Sequence, residues 1–400
     1  MHGRAWLTTA AMMSMAVTLP LASATTPPFA SSPSISSVVP PFEHRLGEFF
    51  NVSWDNVTQT LAVVAGAAAG TPGRVLWSTE PGTYFVAASR GFWDAHERDG
   101  SFEVRTEAVD KTSLQTIDAV AWSGPELRLD GRLLVPANSD ISDGDGDATS
   151  LKYSFLFSCD DADAPAHLRF EVNVSQPTAV AAAAAADTPF NQAFVRYALD
   201  VDESVYGFGH QYTYSDMRGR RVPVFSTEQG IGRGLEPITG ILNAFGGGSG
   251  GNWHTTYSAV PQYVTSHARS VFLENTEVLY FDATANGSAE WTAIKPFAGS
   301  QQQLRVAGRV LYGESPLDLI EQFTAWAGRM APLPDWALRG AVVGFEGGTD
   351  AVRAVWQQLR DAAVPLAAFW LQDWTGRRDD VGDERLWWNW ELDEEYYQGA

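Results

Sequence analysis

The sequence predicts a multidomain protein in which an antiparallel β-sandwich is followed by the opening of an α/β domain. Short runs of β-branched and aromatic residues, separated by Gly, Pro, Asn and Asp, extend from Phe42 to about Gly313. Near residue 315 the pattern changes to helical spacing and then to a strand, a helix and a strand in succession. Hydrophobic residues make up 45% of the 400 residues and aromatic residues 12%, enough apolar surface for more than one core. We therefore expect two or three domains.

Alternation of apolar and polar residues predicts the strands of the N-terminal part. Every second residue from Leu168 to Val174 is apolar, as expected of a strand with one buried face. The segments 151–157 and 277–281 are predicted as further strands. Because this part has frequent turn signals and no amphipathic helix pattern, an antiparallel sandwich is the simplest architecture.

A helix is predicted after the sandwich. Ser315 is its expected N-cap, Pro316 its first residue and Gly328 the residue that ends it. A proline-containing linker completes this segment, residues 315–335.

A βαβ unit is predicted next. Residues 341–345 indicate a buried parallel strand, and residues 366–370 indicate a second one. Apolar residues at helical spacing between them predict a helix that begins at a Thr349 or Asp350 cap. The segment 336–400 is therefore the expected start of an α/β domain.

Charge and cysteine content exclude several function classes. The chain has 27 Lys and Arg against 48 Asp and Glu, a formal net charge of −21, which disfavours binding to nucleic acid and to anionic membranes. The single cysteine, Cys159, can form no intrachain disulfide and no cysteine-based zinc cluster. The seven His residues never occur in an H-x-H or H-E-x-x-H spacing. We therefore predict neither a metal nor a cofactor, and the oligomeric state stays open.

The first 24 residues are predicted to be a cleaved signal peptide. Arg4 precedes a mostly apolar run from Ala5 to Leu21, and the small residues from Ala22 to Ala24 follow as a cleavage signature. The run contains Thr18 and Pro20 and is shorter than the roughly 20 apolar residues that a membrane span needs, so we expect secretion rather than a membrane span. Acceptor triplets for N-glycosylation, which suit a secretory pathway, occur at Asn51, Asn56, Asn173 and Asn286.

Polar residues follow both predicted strands of the α/β unit. In a barrel of parallel strands, functional side chains gather at the carboxyl ends of the strands. Glu346, Gln372 and Asp373 are therefore expected to face the same mouth. Four tryptophans between residues 374 and 390 are typical of a floor on which a sugar ring stacks.

Arg385 and Trp388 form a candidate anion-binding pair. Their i, i+3 spacing would place them on one face of a helix, and both side chains are hydrogen-bond donors only. The planar Arg guanidinium fits a sulfonate, phosphate or carboxylate. The alternative is that Arg385 pairs with Asp383, Glu384 or Glu391 while the tryptophans fill a core.

Several motifs follow one another from about Tyr206 to the end of the chain. They are Gly207-Phe-Gly-His-Gln-Tyr212, Asp216-Met-Arg-Gly-Arg220, Thr227-Glu-Gln-Gly-Ile-Gly-Arg233, Pro334-Asp-Trp336, Gly347-Gly-Thr349, Trp370-Leu-Gln-Asp-Trp-Thr-Gly376 and Trp388-Asn-Trp390. In their order and spacing these motifs resemble glycoside hydrolase family 31, and within it the bacterial sulfoquinovosidases.

The resemblance implies a fold and a reaction. The fold is an N-terminal β-sandwich of the galactose mutarotase-like type, residues 25–314, followed from residue 336 by the first βαβ portion of a (β/α)8 TIM barrel. The reaction is retaining hydrolysis of an α-glycoside, with α-sulfoquinovosides as the expected substrates. Carbohydrate is then the expected partner of the protein.

The resemblance also implies substrate-binding residues. In sulfoquinovosidases an Arg, a Trp and ordered water hold the sulfonate, with glutamines nearby, and Arg385, Trp388 and Gln372 stand at the matching positions. Asp373 and Glu346 are the other substrate-binding candidates, because they have the same predicted location at the strand ends.

Two positions depart from the family pattern. Glu346 stands where the bacterial enzymes carry Gln, and Glu384 precedes Arg385 where they carry Lys. Each change adds negative charge near the proposed sulfonate pocket, which should weaken anion binding unless Glu346 is protonated or points to a hydroxyl. An α-glucosidase or α-xylosidase of the same family is therefore an alternative.

The last expectation concerns the position of the catalytic carboxylates. A retaining glycosidase needs two carboxylates about 5–5.5 Å apart. The resemblance implies that both lie on later barrel strands, so we expect the nucleophile and the acid/base beyond residue 400 and no turnover by these 400 residues. Two strands also cannot close a barrel, which predicts an incomplete barrel. A non-catalytic carbohydrate-binding fragment is the second alternative.

Overall fold

The computed structural model describes residues 35–65, 73–98, 101–135, 150–159, 162–175, 190–230, 233–245, 248–295, 303–380, 383–386 and 389–399. The chain divides into two compact units, unit 1 up to Trp326 and unit 2 from Ala327 onward, and each is described by itself. The expected signal peptide, residues 1–24, lies outside the described residues.

The described residues of unit 1 are mostly strands. In chain order these are β1 (Ser36–Ser37), β2 (Phe42–Leu46), β3 (Phe50–Asp55), β4 (Thr60–Ala65), β5 (Val75–Ser78), β6 (Val86–Arg98), β7 (Ser101–Thr112), β8 (Leu114–Ile117), β9 (Ala119–Ser123), β10 (Glu126–Leu134), β11 (Ser150–Ser158), β12 (His167–Ser175), β13 (Phe190–Ala198), β14 (Val205–Gly209), β15 (Arg221–Val224), β16 (Ala259–Thr265), β17 (Ser270–Leu273), β18 (Val278–Asp282), β19 (Ser288–Ile294) and β20 (Gln303–Leu311).

These strands form three sheets. The ten-stranded sheet has the order β1-β8-β10-β11-β12-β20-β17-β16-β14, with β9 also paired to β10. The six-stranded sheet has the order β15-β18-β19-β13-β6-β7, and the four-stranded sheet β2-β3-β4-β5. The pairing of β1 with β8 is parallel, and the pairings inside the other two sheets are antiparallel.

Aromatic side chains pack the ten-stranded sheet against the other two. The ring of Trp77 on β5 lies 5.9 Å from that of Phe155 on β11 and 6.2 Å from that of Tyr197 on β13. Phe281 on β18 lies 5.2 Å from Tyr263 on β16. All five side chains are buried, so one apolar core joins the three sheets as in a sandwich.

The expectation of a mostly β protein is confirmed. On β12, Leu168, Phe170, Val172 and Val174 are buried while the residues between them are only half-buried, as the alternation predicts. The predicted strands at 151–157 and 277–281 correspond to β11 and β18, each within one residue of its predicted ends.

One helix that the sequence analysis did not predict lies in the sandwich part. Helix α1 spans Ile238–Phe245. It follows Pro237, and the carboxylate of Glu236 accepts a hydrogen bond from Gly240 N–H at 3.2 Å. Ile238 and Phe245 are exposed, so the helix lacks the buried apolar face on which recognition from sequence depends.

The predicted helix after the sandwich is confirmed as α2, Pro316–Ala327. Ser315 Oγ accepts the Asp318 N–H at 3.3 Å, and Asp318 Oδ2 accepts the Ser315 N–H at 2.9 Å. This reciprocal pair is a capping box. Gly328 follows the last helical residue with a φ of +98°, which an L side chain rarely adopts.

Unit 2 contains the predicted βαβ unit. Its elements are a 3-10 helix (Asp335–Leu338), β21 (Ala341–Phe345), α3 (Gly348–Asp361), β22 (Leu366–Leu371), β23 (Arg377–Asp380) and β24 (Asp383–Leu386). Strands β21 and β22 pair in parallel, and β23 and β24 form an antiparallel pair.

Two expectations about this unit are wrong. Helix α3 begins after Gly347 with no side-chain cap, because Gly347 and Gly348 adopt φ values of +129° and +79° and turn the chain before Thr349. The strands are not buried: Val342 is 51% exposed and Trp370 68% exposed. Two strands and one helix cover only part of each other's apolar surface.

A charged network lies on the outer side of the ten-stranded sheet. Glu171 Oε2 lies 2.7 Å from Arg169 Nη2 and 3.0 Å from Arg305 Nη2, and Glu171 Oε1 accepts Asn173 Nδ2 at 2.8 Å. Burial alone would raise the pKa of Glu171, but these three donors outweigh it and lower the pKa to about 2.

Among the described residues, the helices are too short or too polar to cross a membrane.

Candidate substrate-binding site

Two of the predicted site residues share one guanidinium. Glu346 directly follows β21 and Asp373 lies two residues after β22, so the parallel pairing brings both to the same edge. Arg377 Nη2 lies 2.6 Å from Glu346 Oε2 and 3.5 Å from Asp373 Oδ2. Glu346 is 40% exposed and Arg377 28% exposed, whereas Asp373 is fully buried. The exposed end of this cluster is therefore the Glu346–Arg377 pair.

Protein donors occupy both carboxylate oxygens of Asp373. Gly347 N–H donates to Oδ2 at 2.7 Å, and the Tyr397 hydroxyl donates to Oδ1. Burial raises the pKa of the Tyr397 hydroxyl well above its ordinary value, and its hydrogen bond to the Asp373 carboxylate raises it further, so the hydroxyl keeps its proton. Asp373 thus ties the end of β22 to the start of α3.

The other predicted residues are less closely assembled. Gln372 precedes Asp373 and is exposed. Arg385 lies in β24, opposite Arg378 of β23. The condition under which Arg385 and Trp388 would share one face, a helical segment, is not met at Arg385, because β24 pairs with β23 as an extended strand. Trp388 lies outside the described residues.

The tryptophan-rich segment is only partly described. The rings of Trp374 and Trp390 lie 6.3 Å apart, and Trp390 is 73% exposed. A cavity of about 440 Å³ in this segment is lined by Thr375, Asn389, Glu391, Leu392 and Asp393. Exposed indole beside hydroxyl, amide and carboxylate groups is suited to a neutral sugar ring. Trp387 lies outside the described residues.

Two residues of this cluster, Arg377 and Tyr397, are not among the site residues predicted from the sequence. Arg377 follows the motif Trp370 to Gly376 directly, and its place next to that motif is the signal that could have found it. Tyr397 carries no such signal, because it reaches Asp373 only through the fold of the segment after residue 389.

A possible metal-ligand group lies in unit 1. Asp200, Glu203 and His267 each offer one ligand atom, and these atoms lie within 4.8 Å of one another. However, Arg269 Nε donates to Glu203 Oε1 at 2.7 Å. A guanidinium on the one buried carboxylate already supplies the positive charge, so we assign no metal to this group.

Sequence and structure comparisons, but no family model, relate the chain to known proteins. A sulfoquinovosidase from Escherichia coli (strain K12) is 28% identical over 207 residues, and one from Agrobacterium fabrum is 28% identical over 211 residues. The structure of a family 31 sulfoquinovosidase from E. rectale, in complex with an aza-sugar inhibitor, matches 86% of this chain at 19% identity with a TM-score of 0.65.

These matches support a glycoside hydrolase family 31, sulfoquinovosidase-like assignment for about half of the chain. The matched segments cover 52% and 53% of this chain but only 29% and 30% of the two sulfoquinovosidases. The chain likewise covers 44% of the E. rectale structure. At 19% identity that structural match shows the fold.

Proposed function

We propose that the protein acts in the hydrolysis of α-glycosides with retention of configuration, and that its substrates are α-sulfoquinovosides. The similarity to two sulfoquinovosidases over about half of the chain is the observation that carries this proposal. We assign substrate recognition to the residues of unit 2 and assign neither the nucleophile nor the acid/base to a described residue.

The Glu346–Arg377 pair weakens one of the two objections to a sulfonated substrate, the negative charge of Glu346. Glu346 by itself would repel an anion, but Arg377 lies 2.6 Å from its carboxylate and compensates the charge. The second carboxylate within reach of Arg377, Asp373, is buried and bonded to Tyr397 and Gly347, so it does not face the ligand. The sulfonate would then bind the guanidinium of Arg385, with Trp388 and Gln372 as further donors.

Binding of matched sugars to the 400-residue chain tests this proposal. We expect methyl α-sulfoquinovoside to bind at least about tenfold more tightly than methyl α-glucoside, measured by isothermal titration calorimetry, since one charge-assisted hydrogen bond contributes about 1.5–3 kcal/mol. Arg385→Ala should abolish the part of this preference that arises from the site in unit 2. Arg377→Gln should weaken binding of the sulfonated sugar alone, because it leaves Glu346 uncompensated. Arg353→Gln, at an exposed position of α3, is the matched control.

The alternative is a neutral α-glucoside or α-xyloside. An α-glucosidase from Bacillus thermoamyloliquefaciens is 25% identical over 177 residues, and the exposed Glu346 carboxylate could accept a sugar hydroxyl. Equal affinity for both methyl glycosides, or equal losses on both after Arg385→Ala, would replace the sulfoquinovoside proposal by this one.

A further inference from the structure

A cavity of about 500 Å³ lies in unit 1 between the two edges of the six-stranded sheet. The edge strands β7 and β15 form two of its walls, and they are joined by a hydrogen bond from Arg221 Nη2 to Thr106 Oγ1 at 3.3 Å. Strand β18 and the segment 252–254 complete it. The volume is within the range of about 300–1,000 Å³ that small-molecule sites occupy.

The lining of this cavity is cationic in an acidic protein. Arg221 lines it, and none of its lining residues is Asp or Glu, although the whole chain has a formal net charge of −21. Within the part of the chain that the structure describes, Arg221 makes no ion pair within 4.0 Å. A guanidinium without an ion pair in a concave site attracts an anion.

Another guanidinium, that of Arg220, lies close to a lining residue of the cavity. Arg220 lies 3.2 Å from the ring centroid of Tyr214 and 5.8 Å from that of Trp253, whose indole lines the cavity. Its Nε is buried and lacks a hydrogen-bond partner among the described residues. The positive charge of Arg220 therefore adds to the field around Trp253.

Aromatic side chains give the cavity a surface for a ring. The guanidinium of Arg221 stacks 4.2 Å from the ring centroid of the buried Tyr280, which fixes its plane. Trp253 and Phe225 provide further apolar surface. Such faces pack against the C–H groups of a sugar ring.

Neutral polar groups complete the lining. Burial lowers the pKa of His254 to about 4, and the charge of Arg233 contributes, so the imidazole is neutral at pH 7 and offers one donor and one acceptor. Asn252 Oδ1 accepts the His254 backbone N–H at 3.1 Å, which holds this segment in place. Thr106 adds a hydroxyl. These groups are suited to hydroxyls of a ligand rather than to a second charge.

We propose that this cavity is a binding site for a small anionic saccharide, in which Arg221 binds the acidic group and Trp253 packs against the sugar ring. The shared chemistry of its ligands is a hexose ring with one sulfonate, carboxylate or phosphate. The site is built from unit 1 and does not depend on the function proposed for unit 2.

Titration of the Arg385→Ala protein with four sugars tests the site. The probes are methyl α-sulfoquinovoside, glucuronate, glucose 6-phosphate and methyl α-glucoside as the neutral control. We expect at least one anionic sugar to bind with a dissociation constant below about 1 mM, and the neutral sugar to bind at least about tenfold more weakly. The anionic sugar that binds identifies the acidic group.

Substitutions of cavity residues then show whether the anionic sugar binds in this cavity. Arg221→Gln and Trp253→Ala, each made in the Arg385→Ala protein, should weaken this binding at least about tenfold, whereas Arg128→Gln on the ten-stranded sheet should leave it unchanged. Arg221→Gln should still unfold in one cooperative transition, because Arg221 is exposed and loses only a hydrogen bond to Thr106 and its contact with the Tyr280 ring. Should Arg221→Gln fail to fold, Thr106→Val, which removes a lining hydroxyl, provides the second test.

The outcomes separate this site from the function proposed for unit 2. No anionic binding in the Arg385→Ala protein, or binding that Arg221→Gln and Trp253→Ala leave intact, overturns the site in unit 1. Conversely, the sulfoquinovoside proposal fails if the Arg221→Gln protein does not distinguish the two methyl glycosides while Arg385 is present.

Discussion

Replacing Asp373 by Asn is expected to loosen unit 2 without changing its volume. The change removes the negative charge that Arg377, Tyr397 and Gly347 surround. Loss of charge-assisted hydrogen bonds to this fully buried carboxylate should cost about 2–3 kcal/mol. Breaking a buried ion pair costs about 3–5 kcal/mol. The cost here is at the low end because Arg377 is partly solvated and retains its ion pair with Glu346. The amide of Asn also presents a donor where the wild-type carboxylate only accepts.

Hydrogen exchange measures this loss locally. A cost of about 2–3 kcal/mol lowers the protection of peptides from residues 341–376 by about 30-fold to 150-fold, since about 1.4 kcal/mol is a factor of ten. Asp335→Asn is the matched control, because Asp335 is 89% exposed and its 3.8 Å pair with Arg339 should contribute well under about 1 kcal/mol. A loss of protection smaller than about threefold in Asp373→Asn would refute the assigned role of this carboxylate.

Two further predictions concern unit 1. Because the folded-state pKa of Glu171 is lowered from 4.5 to about 2, wild type should exceed Glu171→Gln in stability above pH 4.5, by about 1–2 kcal/mol once solvent screening of this partly exposed network is included, and the difference should vanish as the pH falls through about 2. Urea denaturation between pH 7 and pH 2 measures it, and a difference independent of pH contradicts the network. Gly207→Ala should destabilise unit 1 by more than about 2 kcal/mol, because Gly207 has a φ of +136° and a Cβ there would lie 2.5 Å from the Gln262 carbonyl oxygen. Gly219→Ala, with φ +74° and open space around it, should cost only about 1 kcal/mol, and equal losses in the two variants would contradict this steric reasoning.

The sequence-based expectations succeeded where a local signal carries the information. The alternation along β12 and the capping residues of α2 each depend on neighbours within a few positions, and both agree with the structure. They missed elements that no local side-chain pattern marks. Helix α1 buries no apolar face, and the start of α3 is fixed by two glycines with left-handed φ rather than by a side-chain cap.

The sequence by itself determined that Glu346 and Asp373 lie at one strand edge, because a parallel βαβ unit aligns the carboxyl ends of its strands. It also determined which motifs resemble a glycosidase family. Only the tertiary structure decided that Arg377 joins the two carboxylates, and that Tyr397 closes over Asp373. Contacts between side chains distant in sequence depend on the packing of whole elements, and a cavity such as the one beside Arg221 exists only once the two sheet edges have met.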